Sequence, residues 1–252
     1  MAKITDLVSY TNDLLSIDGF RDYCPNGLQV QGRAEIRKLV AGVTACRDLI
    51  EAAHKARADA ILVHHGYFWK GEDPTITGLK YERVRLLLEY GISLLAYHLP
   101  LDAHPEYGNN VQLARRLGLQ SEGSFGDAGG VQIAHYGHFS DALAAGDLSR
   151  RIESVLGRAP LHITSTDRPI RSVGWCTGAA QGYLEEAARL GLDAYLTGEI
   201  SEQTVHVARE YGIHFFSCGH HATERYGAEA LGRHLSDRFN LEFSFIDIEN
   251  PV

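Results

Sequence analysis

The fold is decided by two segments, Leu49-Ile50-Glu51-Ala52-Ala53 and Ala58-Asp59-Ala60, because both return later in the chain. Their counterparts are Leu184-Glu185-Glu186-Ala187-Ala188 and Leu192-Asp193-Ala194. In each copy a helical pattern leads through an Asp-Ala step into a short apolar run, which is the order of a helix followed by a buried strand. The repeat indicates an internal duplication, although the alternation of helices and strands can itself produce short repeats.

The duplication extends to the next strand of each copy. Glu89-Tyr90-Gly91-Ile92 precedes an apolar run that reaches His98, and Glu210-Tyr211-Gly212-Ile213 precedes one that reaches His220. Apolar runs alternate with amphipathic helical patterns along the chain, as is typical of α/β proteins. We therefore predict an α/β fold of two pseudo-symmetric halves, each built as strand-helix-strand-helix-strand.

Glycines mark the boundary that we predict between the halves. Residues 123–130, Gly-Ser-Phe-Gly-Asp-Ala-Gly-Gly, form a break suited to a linker. The first half is then residues 1–122 and the second is residues 131–252. Ligands of open α/β sheets collect beyond the carboxyl ends of the strands. Two halves that pack face to face would therefore place a site in the cleft between them.

The composition limits the classes of protein to which the chain can belong. It has 252 residues, a formal net charge of -8 and 44% hydrophobic residues. No apolar stretch approaches the roughly 20 residues of a membrane-spanning helix, and the N-terminus lacks the pattern of a signal peptide. We expect a cytoplasmic protein without a membrane partner. The acidic balance argues against binding of polymeric nucleic acid, and the widely spaced cysteines predict neither disulfides nor a thiolate zinc site.

Histidines and carboxylates stand just after the predicted strands. His64 and His65 close one apolar run, and Asp102 follows another. His220 and Glu224 follow a third and have the four-residue spacing of one helix face. Buried imidazoles need partners, and neutral imidazole is the commonest protein ligand for transition metals. These five side chains predict a site for two divalent ions, with Zn, Mn or Fe(II) favoured by mixed nitrogen and oxygen ligands.

Other histidines near these ligands allow two interpretations. His98 and His104 are candidate general bases, because an unligated imidazole titrates near neutral pH. These two residues and His221 could equally support the ligands or the fold without taking part in chemistry. Pro100 is expected to end a strand and to place Asp102 on a stiff loop.

Two short motifs near the predicted ligands also remain open. Tyr67-Phe68-Trp69 either stack on a planar substrate or pack between subunits. Pro25-Asn26-Gly27-Leu28 has the composition of a turn, which could be purely structural or could border the cleft.

A set of motifs matches one family in order and spacing over nearly the whole chain. They are Pro25-Asn26-Gly27-Leu28-Gln29-Val30, Gly42-Val43-Thr44, Val63-His64-His65-Gly66-Tyr67-Phe68-Trp69-Lys70-Gly71, His98-Leu99-Pro100-Leu101-Asp102, Gly198-Glu199 and Gly219-His220-His221-Ala222-Thr223-Glu224. With these motifs the chain resembles the GTP cyclohydrolase I type 2 homolog family, also called NIF-three-like dinuclear-metal-centre proteins, in its bacterial short form.

The resemblance implies a two-domain fold with internal pseudo-symmetry and a dinuclear metal site between the domains. It also implies assembly into a hexameric toroid with the sites facing the interior. Within the family motifs, Glu199, His98 and His221 stand beside the ligands rather than on the ions. The metal ligands that the resemblance implies are His64, His65, Asp102, His220 and Glu224.

We expect a metal-dependent hydrolase that acts on a nucleotide or a related small phosphate or heterocyclic substrate through a hydroxide that bridges two ions. A second hypothesis is a metal-containing ring that acts as a scaffold or regulator without catalysis. A third is GTP cyclohydrolase activity, which would open the purine ring and release formate.

Overall fold

The computed structural model describes residues 1–164 and 166–252, and these residues form two compact units. Unit 1 comprises Met1–Gly108 and Gly227–Glu249, and unit 2 comprises Asn109–Tyr226 and Asn250–Val252. The units differ from the predicted halves, residues 1–122 and 131–252, at both boundaries. The chain enters unit 2 earlier than predicted, and its last helix and strand return to unit 1.

The first part of the chain supplies most of unit 1. Its elements are β1 (Ala2–Lys3), α1 (Ile4–Leu15), β2 (Gly27–Val30), β3 (Glu35–Ile36), β4 (Lys38–Ala41), α2 (Arg47–Lys55), β5 (Ala60–Val63), α3 (Gly78–Tyr90), β6 (Ser93–Ala96) and α4 (Leu99–Ala103).

The second part supplies unit 2 and then the end of unit 1. Its elements are α5 (Asn109–Leu117), β7 (Gln120–Ala128), β8 (Val131–Leu143), α6 (Ala145–Leu156), β9 (Leu161–Ile163), β10 (Ile170–Trp175), α7 (Leu184–Arg189), β11 (Ala194–Thr197), α8 (Glu202–Tyr211), β12 (His214–Ser217), α9 (His220–Phe239) and β13 (Glu242–Phe245).

Each unit is built around a mixed sheet. In unit 1 the strand order is β13-β4-β5-β6-β2, and β2 is antiparallel to its neighbour β6. In unit 2 the order is β7-β8-β10-β11-β12-β9, and β9 is antiparallel to its neighbour β12. The middle strands β5 and β11 are buried along their whole length, as expected for parallel strands covered on both faces.

The predicted duplication is confirmed in the order of the elements. The series α1, β2, β4, α2, β5, α3, β6 and α4 of unit 1 corresponds to α6, β9, β10, α7, β11, α8, β12 and the start of α9. An aspartate before the middle strand repeats as well. Asp59 accepts hydrogen bonds from the backbone N–H groups of Arg37 and Lys38, and Asp193 accepts them from Arg171 and Ser172.

The return of the chain to unit 1 has a clear physical cause. Ala228, Leu231 and Leu235 of α9 are fully buried and pack in one apolar cluster with Leu39 of β4. The strand β13 then pairs in parallel with β4. The last part of the chain therefore completes the core and the sheet edge of unit 1.

The prediction of a linker at residues 123–130 is wrong, because this segment lies in a β-hairpin. Ser124 and Phe125 pair with β8 in an antiparallel ladder. Gly129 and Gly130 have positive φ angles of 67° and 97°, which is what a two-residue hairpin turn requires. The glycines thus mark a tight turn inside unit 2 rather than a boundary between units.

No helix among the described residues has both the length and the apolar character needed to cross a membrane.

Candidate metal centre

In unit 1 the candidate ligands begin where β5 ends. His64 is fully buried, and its Nδ1–H donates a hydrogen bond of 2.9 Å to the carbonyl oxygen of Tyr97. A carbonyl can only accept, so Nδ1 carries the hydrogen and the lone pair of the neutral ring is on Nε2. This Nε2 lies 3.5 Å from Oδ1 of Asp102, a separation longer than that of a strong hydrogen bond.

His65 lies beside this ring. Its Nδ1 is 3.3 Å from Oγ1 of Thr44, and its ring centroid is 4.6 Å from that of His64. The backbone N–H groups of His64 and His65 both donate to the carbonyl oxygen of Val43, at 3.0 Å and 2.8 Å. This bulge-like pairing breaks the alternation of a regular strand, so the two neighbouring rings can face a common region.

His98 joins these two residues. The ligand atoms that His64, His65 and His98 offer all lie within 4.8 Å of one another. Nδ1–H of His98 donates a hydrogen bond of 2.7 Å to Oδ1 of Asp22, and its backbone N–H donates one of 2.7 Å to Oδ1 of Asn26. The Pro-Asn-Gly motif thus has a role near the site, since its asparagine fixes the backbone at His98.

Sequence reasoning missed Asp22. Its side chain is only 3% exposed and also accepts hydrogen bonds from the backbone N–H of Leu99 and from Nδ2 of Asn26. Burial alone would raise the pKa of Asp22, but the hydrogen bond and charge of His98, with the Asn26 bond, hold the pKa below its ordinary value. No periodicity or motif marks this aspartate, because its partner is far away in sequence.

Cys24 lies within ligand distance of Asp22 and His98. Burial, and then the negative charge of Asp22, raise the pKa of the Cys24 thiol to about 12. The thiol therefore stays protonated at neutral pH, which agrees with a candidate site built from nitrogen and oxygen.

Asp102 lies on the short helix α4, so the prediction that a loop carries it is wrong. Its backbone N–H donates a hydrogen bond of 3.1 Å to the carbonyl oxygen of His98, and its side chain is buried. Pro100 stands in the first turn of this helix, where the missing N–H has no helical partner in any case. The proline thus starts a helix that carries Asp102, rather than stiffening a loop.

In unit 2 the candidate ligands stand on the first turns of α9. His220 begins the helix, and Glu224 follows one turn later, as predicted. Nε2 of His220 lies 3.1 Å from Oε2 of Glu224, and Nδ1 lies 2.7 Å from Oε1 of Glu199. Burial would lower the pKa of His220, but the carboxylates of Glu224 and Glu199 raise it to about 9.

Two glycines make room for this arrangement. Gly178 has a positive φ of 70°, and a Cβ there would collide with Oε1 of Glu224. A Cβ at Gly198 would lie 2.6 Å from Cα of His220 and 2.7 Å from the carbonyl oxygen of Gly178. Both positions therefore require a residue without a side chain.

The other predicted histidines are placed differently. Nδ1 of His104 accepts hydrogen bonds from the backbone N–H groups of Glu106 and Tyr107, and the His104 ring stacks on Tyr107. Burial lowers the pKa of His104. The ring lies apart from the group formed by His64, His65 and His98, whose ligand atoms lie within 4.8 Å of one another. His221 is buried on the first turn of α9, where its backbone N–H donates to the carbonyl oxygen of Val252.

The aromatic motif divides into buried and partly exposed residues. Tyr67 is buried, and its hydroxyl donates a hydrogen bond of 2.7 Å to the carbonyl oxygen of Ala45, so it serves the core. Trp69 is half-buried and meets the His98 ring edge to face at 5.0 Å. Among the three aromatic residues, Trp69 thus stands next to the candidate ligands.

The side chains present fit a divalent transition metal. The Nδ1 atoms of His64, His98 and His220 each face an oxygen acceptor. With Nδ1 engaged in this way, Nε2 of each ring is the atom that could bind a metal ion, as is usual for metal-binding histidines. Buried carboxylates lie close to these rings in each unit, Asp102 in unit 1 and Glu224 in unit 2. The buried histidine and carboxylate groups could therefore hold metal ions of the Zn, Mn or Fe type.

Comparison with known proteins adds independent findings. The family model described as Duf34/NIF3 (NGG1p interacting factor 3) matches residues 2–251. A Pseudomonas aeruginosa protein named GTP cyclohydrolase 1 type 2 homolog is 53% identical, over 99% of this chain and 98% of that protein. The solved structure of protein ybgI, titled as of unknown function, is 45% identical with a TM-score of 0.95 and full coverage of both chains. A Thermus thermophilus structure is 34% identical with a TM-score of 0.90, again over both whole chains.

Proposed function

Because the chain belongs to the Duf34/NIF3 family, we propose that it is a metal-dependent hydrolase that binds two divalent ions. The substrate class is a nucleotide or a related small phosphate or heterocyclic compound. The observation that carries the proposal is the set of buried imidazoles whose Nδ1 atoms are held by oxygen acceptors beside buried carboxylates. The ligands of the two ions are His64, His65, Asp102, His220 and Glu224.

Each of these side chains has a definite task. His64, through Nε2, and His65 supply ring nitrogens, and Asp102 supplies a buried carboxylate. Glu224 supplies the second carboxylate, while Glu199 holds the His220 ring by its Nδ1–H. When bound, divalent ions acidify water near neutral pH and polarise the bond under attack. Trp69, half-buried beside His98, is available to contact the planar part of a heterocyclic substrate.

The test is a matched pair of variants. Glu224→Gln keeps the size of the side chain but removes the charge, and Glu202→Gln does the same at a carboxylate whose side chain is 87% exposed on α8. We expect Glu224→Gln to lower bound metal and to abolish turnover in a screen of nucleotides and phosphoesters. Glu202→Gln should match the wild type in both measurements. A Glu224→Gln protein that loses metal but keeps full turnover would exclude metal-dependent hydrolysis.

GTP cyclohydrolase activity is a second candidate because the relatives carry that term in their names. It predicts release of formate when the metal-loaded protein is incubated with GTP. Formate release that requires metal and is lost in Glu224→Gln would favour this reaction over phosphoester hydrolysis. A non-enzymatic ring would bind metal normally and turn over neither class of substrate.

The hexamer implied by the resemblance is also a proposal. The chain has a mass of 27.8 kDa, so light scattering of the purified protein distinguishes a hexamer from a monomer or dimer directly.

A further inference from the structure

Unit 1 contains one more imidazole than the proposed ligand set uses. His98 offers a ring nitrogen within 4.8 Å of the ligand atoms of His64 and His65. The ring centroids of His64 and His98 are 5.0 Å apart, and those of His65 and His98 are 5.9 Å apart. Burying a polar ring nitrogen is costly unless it meets a partner, and one metal ion can serve as that partner for several imidazoles at once.

The tautomer of His98 is set in the same way as that of His64. Nδ1 of His98 faces a carboxylate oxygen of Asp22 at 2.7 Å, and Nδ1 of His64 faces a carbonyl oxygen at 2.9 Å. The Asp22 carboxylate already accepts hydrogen bonds from Nδ2 of Asn26 and from the backbone N–H of Leu99, so it faces the His98 ring as an acceptor. The lone pair of His98 is therefore on Nε2, the atom that metal-binding histidines most often leave for the ion when Nδ1 is engaged.

The surroundings of Asp22 are built to hold this ring. Asp22 receives hydrogen bonds from Nδ2 of Asn26 and from the backbone N–H of Leu99, and Oδ1 of Asn26 receives the backbone N–H of His98. Asp22 and Asn26 together fix the backbone and the ring of His98. A histidine that merely filled space would not need such a network.

Unit 2 shows the same device at a proposed ligand. Nδ1 of His220 lies 2.7 Å from a Glu199 carboxylate oxygen, the same separation as between His98 and Asp22. A carboxylate behind the ring fixes its orientation and raises the basicity of the other nitrogen. The pairs Asp22–His98 and Glu199–His220 thus share a carboxylate oxygen behind Nδ1 of the ring.

We infer that His98 is a further metal ligand and that Asp22 is the residue that positions it, so that unit 1 offers three imidazole nitrogens to the metal. This inference rests on the proposed function, because it takes the group around His64 and His65 to bind a divalent ion. It adds a nitrogen ligand to the set and assigns a role to a carboxylate that no motif marked.

The first test replaces His98 by asparagine. The amide nitrogen of asparagine takes the place of Nδ1 and keeps the hydrogen bond to Asp22, but it has no counterpart of Nε2. The control is His54→Asn, an exposed histidine on α2 of the same unit. Chelator-stripped protein is titrated with Zn²⁺ against a chromophoric competitor. We expect His98→Asn to weaken Zn²⁺ binding at least about tenfold, with His54→Asn unchanged.

X-ray absorption of the zinc-loaded proteins gives a second readout. The mean number of imidazole ligands per zinc should be lower in His98→Asn than in the wild type. Asp22→Asn should weaken Zn²⁺ binding by about 10–100-fold while thermal unfolding of the chelated protein shows that it is folded. A merely structural role for Asp22 would change unfolding without this change in affinity.

His64→Asn, which keeps a donor toward Tyr97, separates the two proposals. If His64→Asn loses zinc while His98→Asn binds it with wild-type affinity and ligand number, His98 is not a ligand and only this inference fails. If His64→Asn also binds zinc like the wild type, the proposed metal centre itself fails. Loss of affinity in both variants supports both proposals.

Discussion

The two units carry different chemistry at the same place in the repeated fold. β5 and β11 each lie between two parallel neighbours, and each is followed directly by a pair of polar or small residues. After β5 the pair is His64 and His65, and after β11 it is Gly198 and Glu199. In unit 1 the strand end therefore supplies imidazoles, whereas in unit 2 it supplies a carboxylate that holds the imidazole of His220 on the following helix.

The two units thus show that a repeated fold can carry its candidate metal-binding side chains on different elements. Gly198 stands at the position of His64, and its missing side chain leaves the space in which the backbone of His220 lies. Glu199 stands at the position of His65 and bonds to Nδ1 of His220. The strand end in unit 2 thus supports a candidate ligand, while the strand end in unit 1 carries candidate ligands itself.

The largest expected effect concerns the pH dependence of His220. Its pKa in the folded protein is about 9, above the ordinary value near 6.5 of an unfolded chain. The carboxylates of Glu224 and Glu199 stabilise the folded protein through the protonated His220 ring. This stabilisation is fully present below pH 6.5 and is lost as the pH rises through 9, with a limit on the order of 3 kcal/mol. We expect the free energy of unfolding of the chelated wild type to fall over this range relative to His220→Asn, measured by urea unfolding.

The control for this experiment is His206, which pairs with Glu202 at the same spacing on α8 but has a side chain that is 62% exposed. His206→Asn should leave the pH profile of the wild type unchanged, because solvent screens exposed pairs. Metal must displace the proton of His220, so metal affinity should rise with pH over the same interval. Parallel profiles for the wild type and His220→Asn would contradict the raised pKa.

The second prediction tests the space at Gly198. Gly198→Ala places a Cβ against backbone atoms of His220 and Gly178, so one of these must move. We expect a loss of about 1–3 kcal/mol in the free energy of unfolding and weaker metal binding. Gly182→Ala is the control, since a Cβ there has nothing within 4 Å. Equal stability of the two variants in thermal unfolding would show that the close approach at Gly198 is not required.

The third prediction tests how alike the units remain. Asp59 and Asp193 each accept two backbone N–H groups from the preceding strand of their sheet. Asp59→Asn and Asp193→Asn should each lower the free energy of unfolding by about 1–2 kcal/mol. The pKa of each aspartate is lowered, because backbone hydrogen bonds outweigh the effect of burial. The contribution of each ionised aspartate to the free energy of unfolding is therefore present above the ordinary aspartate pKa. It disappears as the pH falls through the lowered pKa of the folded protein.

The two aspartates differ in their additional partners, so unequal losses of stability would measure these partners. Asp193 also accepts a hydrogen bond of 2.8 Å from the hydroxyl of Ser172. Asp59 also forms an ion pair of 2.9 Å with Arg33, although the Arg33 side chain is 58% exposed and its contribution is small for that reason. The variant Arg33→Gln measures that contribution separately.

The smallest effect is expected at His104. Its Nδ1 already accepts two backbone hydrogen bonds, and it does not belong to the group around His64. We expect His104→Asn to bind zinc within about twofold of the wild type, since loss of a supporting residue costs 10–100-fold. A tenfold loss of zinc affinity in a competition titration of His104→Asn would show that His104 does contribute to the candidate site.

Much of the central fold could be predicted from sequence, because apolar runs such as residues 60–63 and 194–197 are strands buried on both faces. The placement of the candidate residues at strand ends and on the first turns of α9 followed from the same pattern. The hairpin of β7 and β8 was missed because glycines mark tight turns and linkers alike. The return of the last helix and strand to unit 1 was not predicted, because core packing over long sequence separations leaves no local signal.

The network around Asp22 illustrates the same limit at the candidate site. Asp22 and His98 are separated by 76 residues, and neither the composition nor the spacing of the segment around Asp22 marks it as special. A single hydrogen bond across that separation sets which ring nitrogen of His98 is available. Sequence patterns report which faces are buried, but they do not report which acceptor meets which donor.

The contact between Gly198 and the backbone of His220 limits which residues this position can accept. A histidine there, as at the equivalent position 64, would have to displace the beginning of α9, because even a Cβ would lie 2.6 Å from Cα of His220. The two halves of the repeat therefore cannot carry the same residue at this strand end while α9 keeps its place. Relatives with this packing are expected to keep the glycine while the residues around it vary.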